Sequence, residues 1–500
     1  MFDLIYQVLP QALTLENIIL SAIGVVIGAS FAAIPGLTGM LAVCIVLPFT
    51  FYMKVIPSMA LLLGIYKASM FGGSVSAISF GVPGDSPAAP DVFDGWPLCK
   101  QGKPYKALNA ALYASILGNL IGDIVVIFTV VPLSIFALRF GPRELFLLMI
   151  VAMLSLTLLL GGSVNRGILA VMIGGFAATF GFDPVTSIPR LTFGLRALMN
   201  GIPLVPFIVG VFAFSEILIQ FAEGVQKGRV VQKKEGPIIS DFIKKRSPDD
   251  RLSFREFFSC WRELLIGGSL GVFLGALPGP GGTMAAFTSY GMASRLRKNK
   301  GKMGTGVIEG VIAPEVANSA TVGPTLIPLL TFGVPGSGTA ALFGAALMLQ
   351  GITPGPGLFT DHMDIIVAML ILMPIGTLIN LLVCKAVIIP VFSRLAMIES
   401  RLLVAWLIPI MMMGIYAINL RPYDTMVFFG AGVLGLLLRH IRVPLSPLVV
   451  AAIVVPLLEV HFRRALILSR GSLSYFVNSP IAVGLILVIF VMVVYAWRAQ

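Results

Sequence analysis

Four proline-glycine pairs interrupt apolar stretches of this sequence, and short polar side chains follow each pair. The breaks and their polar residues are Pro35-Gly36 with Thr38, Pro83-Gly84 with Asp85 and Ser86, Pro278-Gly279 with Thr283, and Pro335-Gly336 with Ser337 and Thr339. Proline has no N–H and clashes with the preceding turn, so each pair breaks a helix. The helix N-terminus that a break exposes favours a carboxylate, and unwound carbonyls coordinate cations. One pair alone indicates a kink or a tight turn, whereas four favour a transport site.

We expect these breaks to bind a substrate anion and a coupling cation. Substrate contacts from backbone N–H groups and hydroxyls are expected at Gly36, Thr38, Gly84, Ser86, Gly279, Thr283, Gly336, Ser337 and Thr339. Cation contacts are expected at Pro83, Asp85, Pro335, Glu315 and Asn318. The coupling ion is a sodium ion or a proton, and no cofactor or other metal is expected. The sequence contains no HExxH or GxSxG motif, so it gives no sign of an enzyme.

Ionisable groups inside apolar stretches are costly and usually face a cavity or a partner. Glu315 is a candidate for proton or cation coupling, and the alternative is a helix-terminal glutamate paired with a loop lysine such as Lys302. Lys67 either neutralises a substrate carboxylate or extends its ammonium group to the membrane interface, and we favour the interface. Asp123 is expected to pair with an arginine and to have no role in transport.

The composition is that of a polytopic helical membrane protein. Of the 500 residues, 57% are hydrophobic and only 12% are charged, compared with about 25% charged in soluble domains. Stretches such as 481–494 are apolar on every side, which excludes the alternating pattern of a membrane β-barrel. The net charge of +12 comes from basic residues in short loops, so the positive-inside rule explains it better than nucleic-acid binding. Four scattered cysteines predict neither disulfides nor a metal site.

Apolar stretches divide the chain into two halves around a polar segment. We expect a first transmembrane repeat over residues 1–222, a basic cytoplasmic linker over 223–262, a second repeat over 263–462, and a C-terminal loop with an extra membrane helix over 463–500. The apolar stretches lie at about 17–52, 57–81, 107–138, 143–161, 165–183, 202–221, 264–294, 305–351, 363–393, 402–419, 423–438, 443–460 and 479–497. Glu216 and Glu459 lie near the ends of such stretches, where a structural role is expected.

The two halves resemble each other. Ala33-Ile-Pro-Gly36 has a counterpart in Ala276-Leu-Pro-Gly279, and Phe80-Gly-Val-Pro-Gly84 recurs letter for letter as Phe332-Gly-Val-Pro-Gly336. The apolar stretch around Pro278 is flanked by basic segments on both sides and is too short for two spans, so it predicts a re-entrant hairpin from the cytoplasm. Its counterpart lacks that basic flank. We therefore predict an all-α protein with about 11–14 transmembrane or re-entrant helices in two inverted repeats.

Several motifs resemble the large membrane subunit of the tripartite tricarboxylate transporter family. They include Gly72-Gly-Ser-Val-Ser-Ala77, Asp94-Gly-Trp-Pro-Leu98, Phe182-Asp-Pro-Val-Thr186, Ala313-Pro-Glu-Val-Ala-Asn318 and Val334-Pro-Gly-Ser337. The resemblance extends from Gly28 to Pro480. The chain departs from the family pattern at Asp91, where a threonine is commoner, and at Gly81, where an asparagine is usual.

The resemblance implies a secondary transporter subunit that imports small tri- or dicarboxylates across the bacterial inner membrane. Implied partners are a periplasmic solute-binding protein, a small membrane subunit, the carboxylate substrate and membrane lipid, with no nucleic acid. Transport would be coupled to sodium ions or protons. The alternatives are a channel, or a membrane receptor or scaffold that holds a binding protein without transporting.

Overall fold

The described part of the chain is helical. The computed structural model describes residues 2–34, 36–159, 163–227, 249–279, 281–296, 303–391 and 400–498. Pro35, Lys302 and most of the predicted basic linker lie outside these residues. The strands described are two residues long, Gly181–Phe182 and Pro189–Arg190, and they pair antiparallel. The predicted all-α fold is therefore confirmed.

Several helices of the first half begin at capping residues or prolines. Thr14 and Thr38 accept backbone N–H groups as N-caps, and Pro104 opens the longest helix. The helices are α1 (Phe2–Ala12), α2 (Leu15–Ala33), α3 (Gly39–Val46), α4 (Val55–Phe80), α5 (Asp91–Lys100), α6 (Pro104–Ala137), α7 (Pro142–Leu159), α8 (Val164–Ala177), α9 (Leu204–Val209) and α10 (Ser215–Lys227). A 3-10 turn follows α3, and a π-helical turn joins α9 to α10.

The second half follows the same pattern. Its helices are α11 (Phe254–Ser259), α12 (Trp261–Ala276), α13 (Gly281–Leu296), α14 (Glu309–Ala320), α15 (Leu326–Phe332), α16 (Gly338–Leu349), α17 (Leu358–Asp361), α18 (Met363–Val383), α19 (Ser400–Asn419), α20 (Pro422–His440), α21 (Leu445–Leu468) and α22 (Pro480–Arg498). A π-helical turn extends α18 to Ile388. All four cysteines are buried and free.

Several helices are long and apolar enough to cross a membrane. Six qualify among the described residues: Leu15–Ala33, Val55–Phe80, Pro104–Ala137, Leu204–Ala222, Met363–Val391 and Leu445–Leu468. Five shorter apolar helices accompany them, at Gly39–Tyr52, Val164–Ala177, Gly338–Leu349, Trp406–Asn419 and Pro480–Ala496. The chain is therefore a multi-pass membrane protein. The number of helices that cross the bilayer or re-enter it stays a prediction.

The helices break at the proline-glycine pairs. Gly81 ends α4 and Gly333 ends α15 in the left-handed conformation, with φ of 66° and 73°, which glycine adopts without steric cost. The apolar stretch at 305–351, in which the break at Pro335-Gly336 was predicted, is divided into α14, α15 and α16. Helices α12 and α13 have 16 residues each, about 24 Å of helix, which is shorter than the bilayer core.

Two helix pairs pack in the same way in the two halves. In each pair, two glycines of the first helix lie against backbone carbonyl oxygens of the second helix. A Cβ atom added at any of these glycines would overlap or crowd that oxygen. The contacts are Gly24 with Leu61, Gly28 with Ile65, Gly267 with Ala313 and Gly271 with Ala317. The four glycines stand at positions that the internal sequence similarity pairs. Close backbone approach at these glycines therefore holds α2 on α4 and α12 on α14.

Candidate functional site

The polar residues that follow the four helix breaks surround one cavity of about 300 Å³. Thr38 comes from the first break, Ser86 from the second, Thr283 from the third and Ser337 from the fourth. The remaining lining residues are Gly39, Met40, Tyr66, Ser69, Met70, Asp85, Pro87, Gly279, Gly281, Gly282, Asn318, Thr321, Thr325, Gly338, Thr339 and Ser446. Segments far apart in sequence therefore meet where helices are interrupted.

Eight of the fourteen predicted site residues line this cavity. They are Thr38, Ser86, Gly279, Thr283, Ser337 and Thr339 from the predicted substrate set, and Asp85 and Asn318 from the predicted cation set. The structure brings these residues together, and their contacts with ligands stay predictions.

The other six predicted residues lie outside the cavity lining. The Gly36 carbonyl accepts a hydrogen bond from Gln220, and the Gly84 N–H donates to Gly73 O at 3.2 Å. The Gly336 carbonyl accepts from Gly279 N at 3.0 Å, so it joins the third break to the fourth. Pro83, Pro335 and Glu315 are also absent from the lining. The prolines and glycines of this group belong to the breaks themselves, whereas Glu315 lies within α14.

Three helices begin at the cavity wall. Thr38 caps α3 by accepting Leu41 N at 3.2 Å, and Ser337 caps α16 by accepting Ala340 N at 3.1 Å. Helix α13 begins at Gly281, which also lines the cavity. The first N–H groups of a helix lack intrahelical partners, and the helix dipole adds partial positive charge there. Convergence of three such ends makes the cavity attractive to an anion.

Two polar side chains in the cavity wall carry free hydrogen-bonding capacity. Asn318 is 1% exposed, and neither its amide nitrogen nor its amide oxygen has a partner among the described residues. Its oxygen lies beside Gly282, at the start of α13. Asp85 accepts one backbone N–H, from Ala88 at 3.2 Å. An amide and a carboxylate with unused oxygens can bind a cation or a hydrogen-bonding substrate.

Sequence reasoning missed several polar residues of the cavity. Tyr66 and Thr325 share a hydrogen bond of 3.2 Å between their hydroxyls, and Ser69 and Thr321 also line the wall. Thr321 and Thr325 lie in the turn between α14 and α15. A signal exists for the other two residues, because Tyr66 and Ser69 lie one turn apart on α4. Such spacing puts polar atoms on one helix face. Ser446 lies just inside α21 and offers no comparable pattern.

Lys67 forms a buried ion pair, which contradicts the expectation that it reaches the membrane interface. Its ammonium lies 2.6 and 2.7 Å from the carboxylate oxygens of Asp123 and 2.9 Å from the Thr377 hydroxyl. Lys67 is 0% exposed. The expected arginine partner of Asp123 was therefore also wrong. A lysine in mid-helix is too far from the interface to reach it, so the nearest carboxylate on α6 neutralises it.

Glu315 lies in the middle of α14, not at a helix end. Its carboxylate contacts the Ser74 hydroxyl, and Ser319 Oγ lies 3.3 Å from Oε1. Ser74 also lies 2.7 Å from the carboxylate of Asp91. The proposed loop partner Lys302 is outside the described residues, and none of the ion pairs among the described residues involves Glu315.

Charged residues outside the cavity lining form ion pairs between the two halves. Glu216 pairs with Arg439, and Glu459 pairs with Arg190 at 2.7 Å. The structural role expected for the two glutamates fits these pairs.

In the loop before α9, the backbone N–H groups of Thr186 and Val185 hold the pKa of Asp183 well below its usual range.

Comparison with known proteins decides the family. The tripartite tricarboxylate transporter TctA family matches residues 18–450. The chain belongs to this family. The resemblance found in the sequence is thus confirmed, and TctA membership implies a subunit of a tricarboxylate transporter. Transporters of this family also contain a small membrane subunit and a periplasmic binding subunit.

Two relatives of this TctA chain come from Agrobacterium vitis. An uncharacterized 52.8 kDa protein in the TAR-I ttuC' 3' region is 34% identical over 477 residues, which cover 95% of this chain and 92% of the relative. An uncharacterized protein in the TAR-II ttuC' 3' region is 38% identical over 216 residues, which cover 43% of this chain and 89% of the relative. No solved structure matches the chain significantly.

Proposed function

We propose that this chain is the large membrane subunit of a secondary transporter that imports small di- or tricarboxylates across the bacterial inner membrane. One observation carries the proposal. The N-termini of α3, α13 and α16 meet at a cavity lined with hydroxyl groups. Unpaired N–H groups, helix dipoles and hydroxyls together suit a carboxylate.

The size of the cavity supports a small organic acid. A volume of about 300 Å³ corresponds to about ten water molecules in the liquid. An acid with two or three carboxylates fits such a volume, because each carboxylate can take a different helix N-terminus. The hydroxyls of Ser86, Thr283 and Thr339 are the side-chain donors that would orient it.

Coupling to a cation would give the transport its direction. Asp85 and Asn318 offer oxygen atoms at the same cavity, and unwound backbone at the breaks offers carbonyls. A sodium ion or a proton would bind with the substrate and move down its own gradient. A periplasmic solute-binding protein would deliver the acid, and the small membrane subunit would complete the complex.

Ion pairs between the halves support two similar repeats, which we propose are inverted, with a cytoplasmic linker between them. Glu216 of the first half pairs with Arg439 of the second, and Glu459 of the second pairs with Arg190 of the first. Such an exchange is expected of two similar halves related by an approximate two-fold axis. Binding sites of this class of carrier lie between the repeats, where the broken helices meet.

The test is uptake by proteoliposomes that contain this subunit, its small membrane partner and a candidate binding protein. Labelled mono-, di- and tricarboxylates are offered under an imposed sodium or pH gradient. Saturable uptake that collapses when the gradient is removed supports the carrier. Flux that neither saturates nor follows an ion gradient indicates a channel. Binding of the solute-binding protein without any flux indicates a receptor, and either result refutes the proposal.

A further inference from the structure

A pair of buried carboxyl groups lies behind the cavity wall. Asp91 in the first turn of α5 and Glu315 on α14 both contact the hydroxyl of Ser74 on α4. Ser74 Oγ is 2.7 Å from Asp91 Oδ2, and it also contacts Glu315 Oε2. Ser74 and Glu315 are 0% exposed and Asp91 is 1% exposed. The two acids are therefore joined by one hydroxyl in a part of the protein that excludes water.

The hydrogen bonds of Ser74 constrain the protonation state of Asp91 and Glu315. A serine hydroxyl donates one hydrogen, and an ionised carboxylate only accepts. If both acids were ionised, Ser74 could donate to only one of them, and its lone pairs would face the other. With one proton on the pair, the protonated acid donates to Ser74 Oγ and Ser74 donates to the ionised acid. Both observed contacts are therefore hydrogen bonds only if the pair holds at least one proton, and one proton is the smallest number that satisfies both.

The charges around the pair do not compensate two negative groups. No lysine or arginine in the described part of the chain is seen to pair with Asp91 or Glu315. On α4 and α6, Lys67 is already neutralised by Asp123 at 2.6 Å. The nearby acids are Asp85, beside Gly73, and Asp94 on α5, with Glu309 in the first turn of α14. Helices α2, α12, α13 and α18 carry charges only in end turns, at Glu16, Arg262, Glu263, Arg295 and Asp364.

Several buried polar atoms near the pair have no hydrogen-bond partner, which indicates a site that binds a proton. Asp91 Oδ1 is buried without a hydrogen-bond partner, and so are both amide atoms of Asn119. Asn119 follows Ser115 by one turn on α6, and Ser115 bonds Ser319, which bonds Glu315. A purely structural polar network would satisfy these atoms, since each buried orphan is costly. Their presence favours a site that gains and loses a proton.

We propose that Asp91 and Glu315 share one proton through Ser74, and that this proton is the coupling ion of the carrier. The second half of the statement rests on the proposed transport function. Asp85 provides the route, because it lines the cavity and its Oδ1 lies 2.7 Å from the position of a Cβ at Gly73, next to Ser74. A proton enters the pair from one compartment and leaves to the other, with no other bond made or broken.

The shared proton can be tested without transport. Infrared spectra of the purified chain at neutral pH should contain the C=O band of a protonated carboxyl group, shifted by exchange into D₂O. Asp91→Asn and Glu315→Gln should each remove this band completely, because either change leaves one ionised acid bonded to Ser74. The matched control is Asp94→Asn, which should keep the band. Asp94 is also buried on α5, but it accepts from Tyr290 and from backbone N–H groups.

Three infrared results would overturn the shared proton. They are a wild-type spectrum without the band, a band that survives both substitutions, or a band lost in only one of them. Thermal unfolding in detergent shows whether each variant folds. If the two acid variants do not fold, Ser74→Ala serves instead, because it keeps both acids and should shift the band.

The role in coupling is tested in proteoliposomes without sodium and with the membrane potential clamped. A pH gradient of one unit coupled to one proton sustains about tenfold accumulation of substrate. We expect the wild type to reach this tenfold accumulation and Glu315→Gln to show none, a ratio of about one. Each value is normalised to the rate at which the same protein exchanges labelled for unlabelled substrate. Equal accumulation by both, or wild-type exchange without accumulation, would overturn the coupling role. Absence of wild-type exchange would instead refute the proposed function, and the infrared result would still decide the shared proton.

Discussion

Ser337 offers a clean test of anion binding at the helix N-termini. It caps α16 through Ala340 N at 3.1 Å, and its side chain lines the cavity. Aspartate and asparagine are both strong N-caps. Ser337→Asp therefore adds one negative charge to the cavity while keeping a cap, and Ser337→Asn is the neutral control of nearly equal size.

The magnitude follows from the size of the cavity. A sphere of about 300 Å³ has a radius of about 4 Å, so a bound carboxylate lies about that far from a charge in the wall. Two like charges at about 4 Å repel by about 4 kcal/mol at an effective dielectric constant of about 20. Water in the cavity would halve this. We therefore expect Ser337→Asp to weaken carboxylate binding by about 2–4 kcal/mol, roughly 30- to 1000-fold.

The measurement is the dissociation constant of a labelled carboxylate for the purified chain, together with KM for uptake by the reconstituted complex. Ser337→Asn loses at most one hydroxyl contact, which is worth about 1 kcal/mol or about fivefold. The difference between the two variants isolates the charge. If Ser337→Asp binds the acid as well as Ser337→Asn does, with both folded by thermal unfolding, the substrate does not lie at these helix ends.

Three further predictions concern the structure that holds the site. Gly28→Ala should lower the melting temperature and destabilise the fold by about 1–3 kcal/mol, because its Cβ would overlap the Ile65 carbonyl; a melting temperature equal to that of the wild type would contradict this close packing. Lys67→Met should cost about 3–5 kcal/mol by leaving Asp123 buried and unpaired, and Lys67→Met combined with Asp123→Leu should recover most of it in thermal unfolding. The pKa of Asp183 is lowered in the fold by backbone N–H groups, so its contribution to stability is present above the unfolded value of about 3.9 and is lost as the pH falls through the lower folded value. The protection of its loop from hydrogen exchange, taken relative to the intrinsic exchange rate at each pH, should therefore fall below about pH 4, and Asp183→Asn should remove that dependence.

The helices and the place of the site were predictable from local pattern. Apolar stretches specify helices in a membrane, and proline with glycine specifies where they stop. Polar residues that follow a helix break inside a membrane protein are expected to line a shared polar cavity. The sequence alone therefore groups Thr38, Ser86, Thr283 and Ser337, which line the same cavity.

The partners of buried charges were not predictable in the same way. Lys67 and Asp123 are 56 residues apart and lie on different helices, so their pairing depends on how α4 and α6 rotate about their axes. Side-chain spacing within one helix does not fix that rotation. The sequence singled out Asp91 as a departure from the family pattern, but its link to Glu315 was not predictable for the same reason, because that link involves Ser74 on a third helix.

The substrate cavity and the carboxyl pair are joined by one short segment of chain. The loop from Gly81 to Pro90 places Asp85 and Ser86 at the cavity and then leads directly into Asp91. An acid bound at the cavity therefore adds negative charge beside the pair, which favours the protonated state. By linkage, protonation of the pair must strengthen acid binding by the same factor. Substrate affinity should thus rise as the pH falls, in the wild type but not in Glu315→Gln, and equal pH profiles for the two proteins would show that the cavity and the pair are independent.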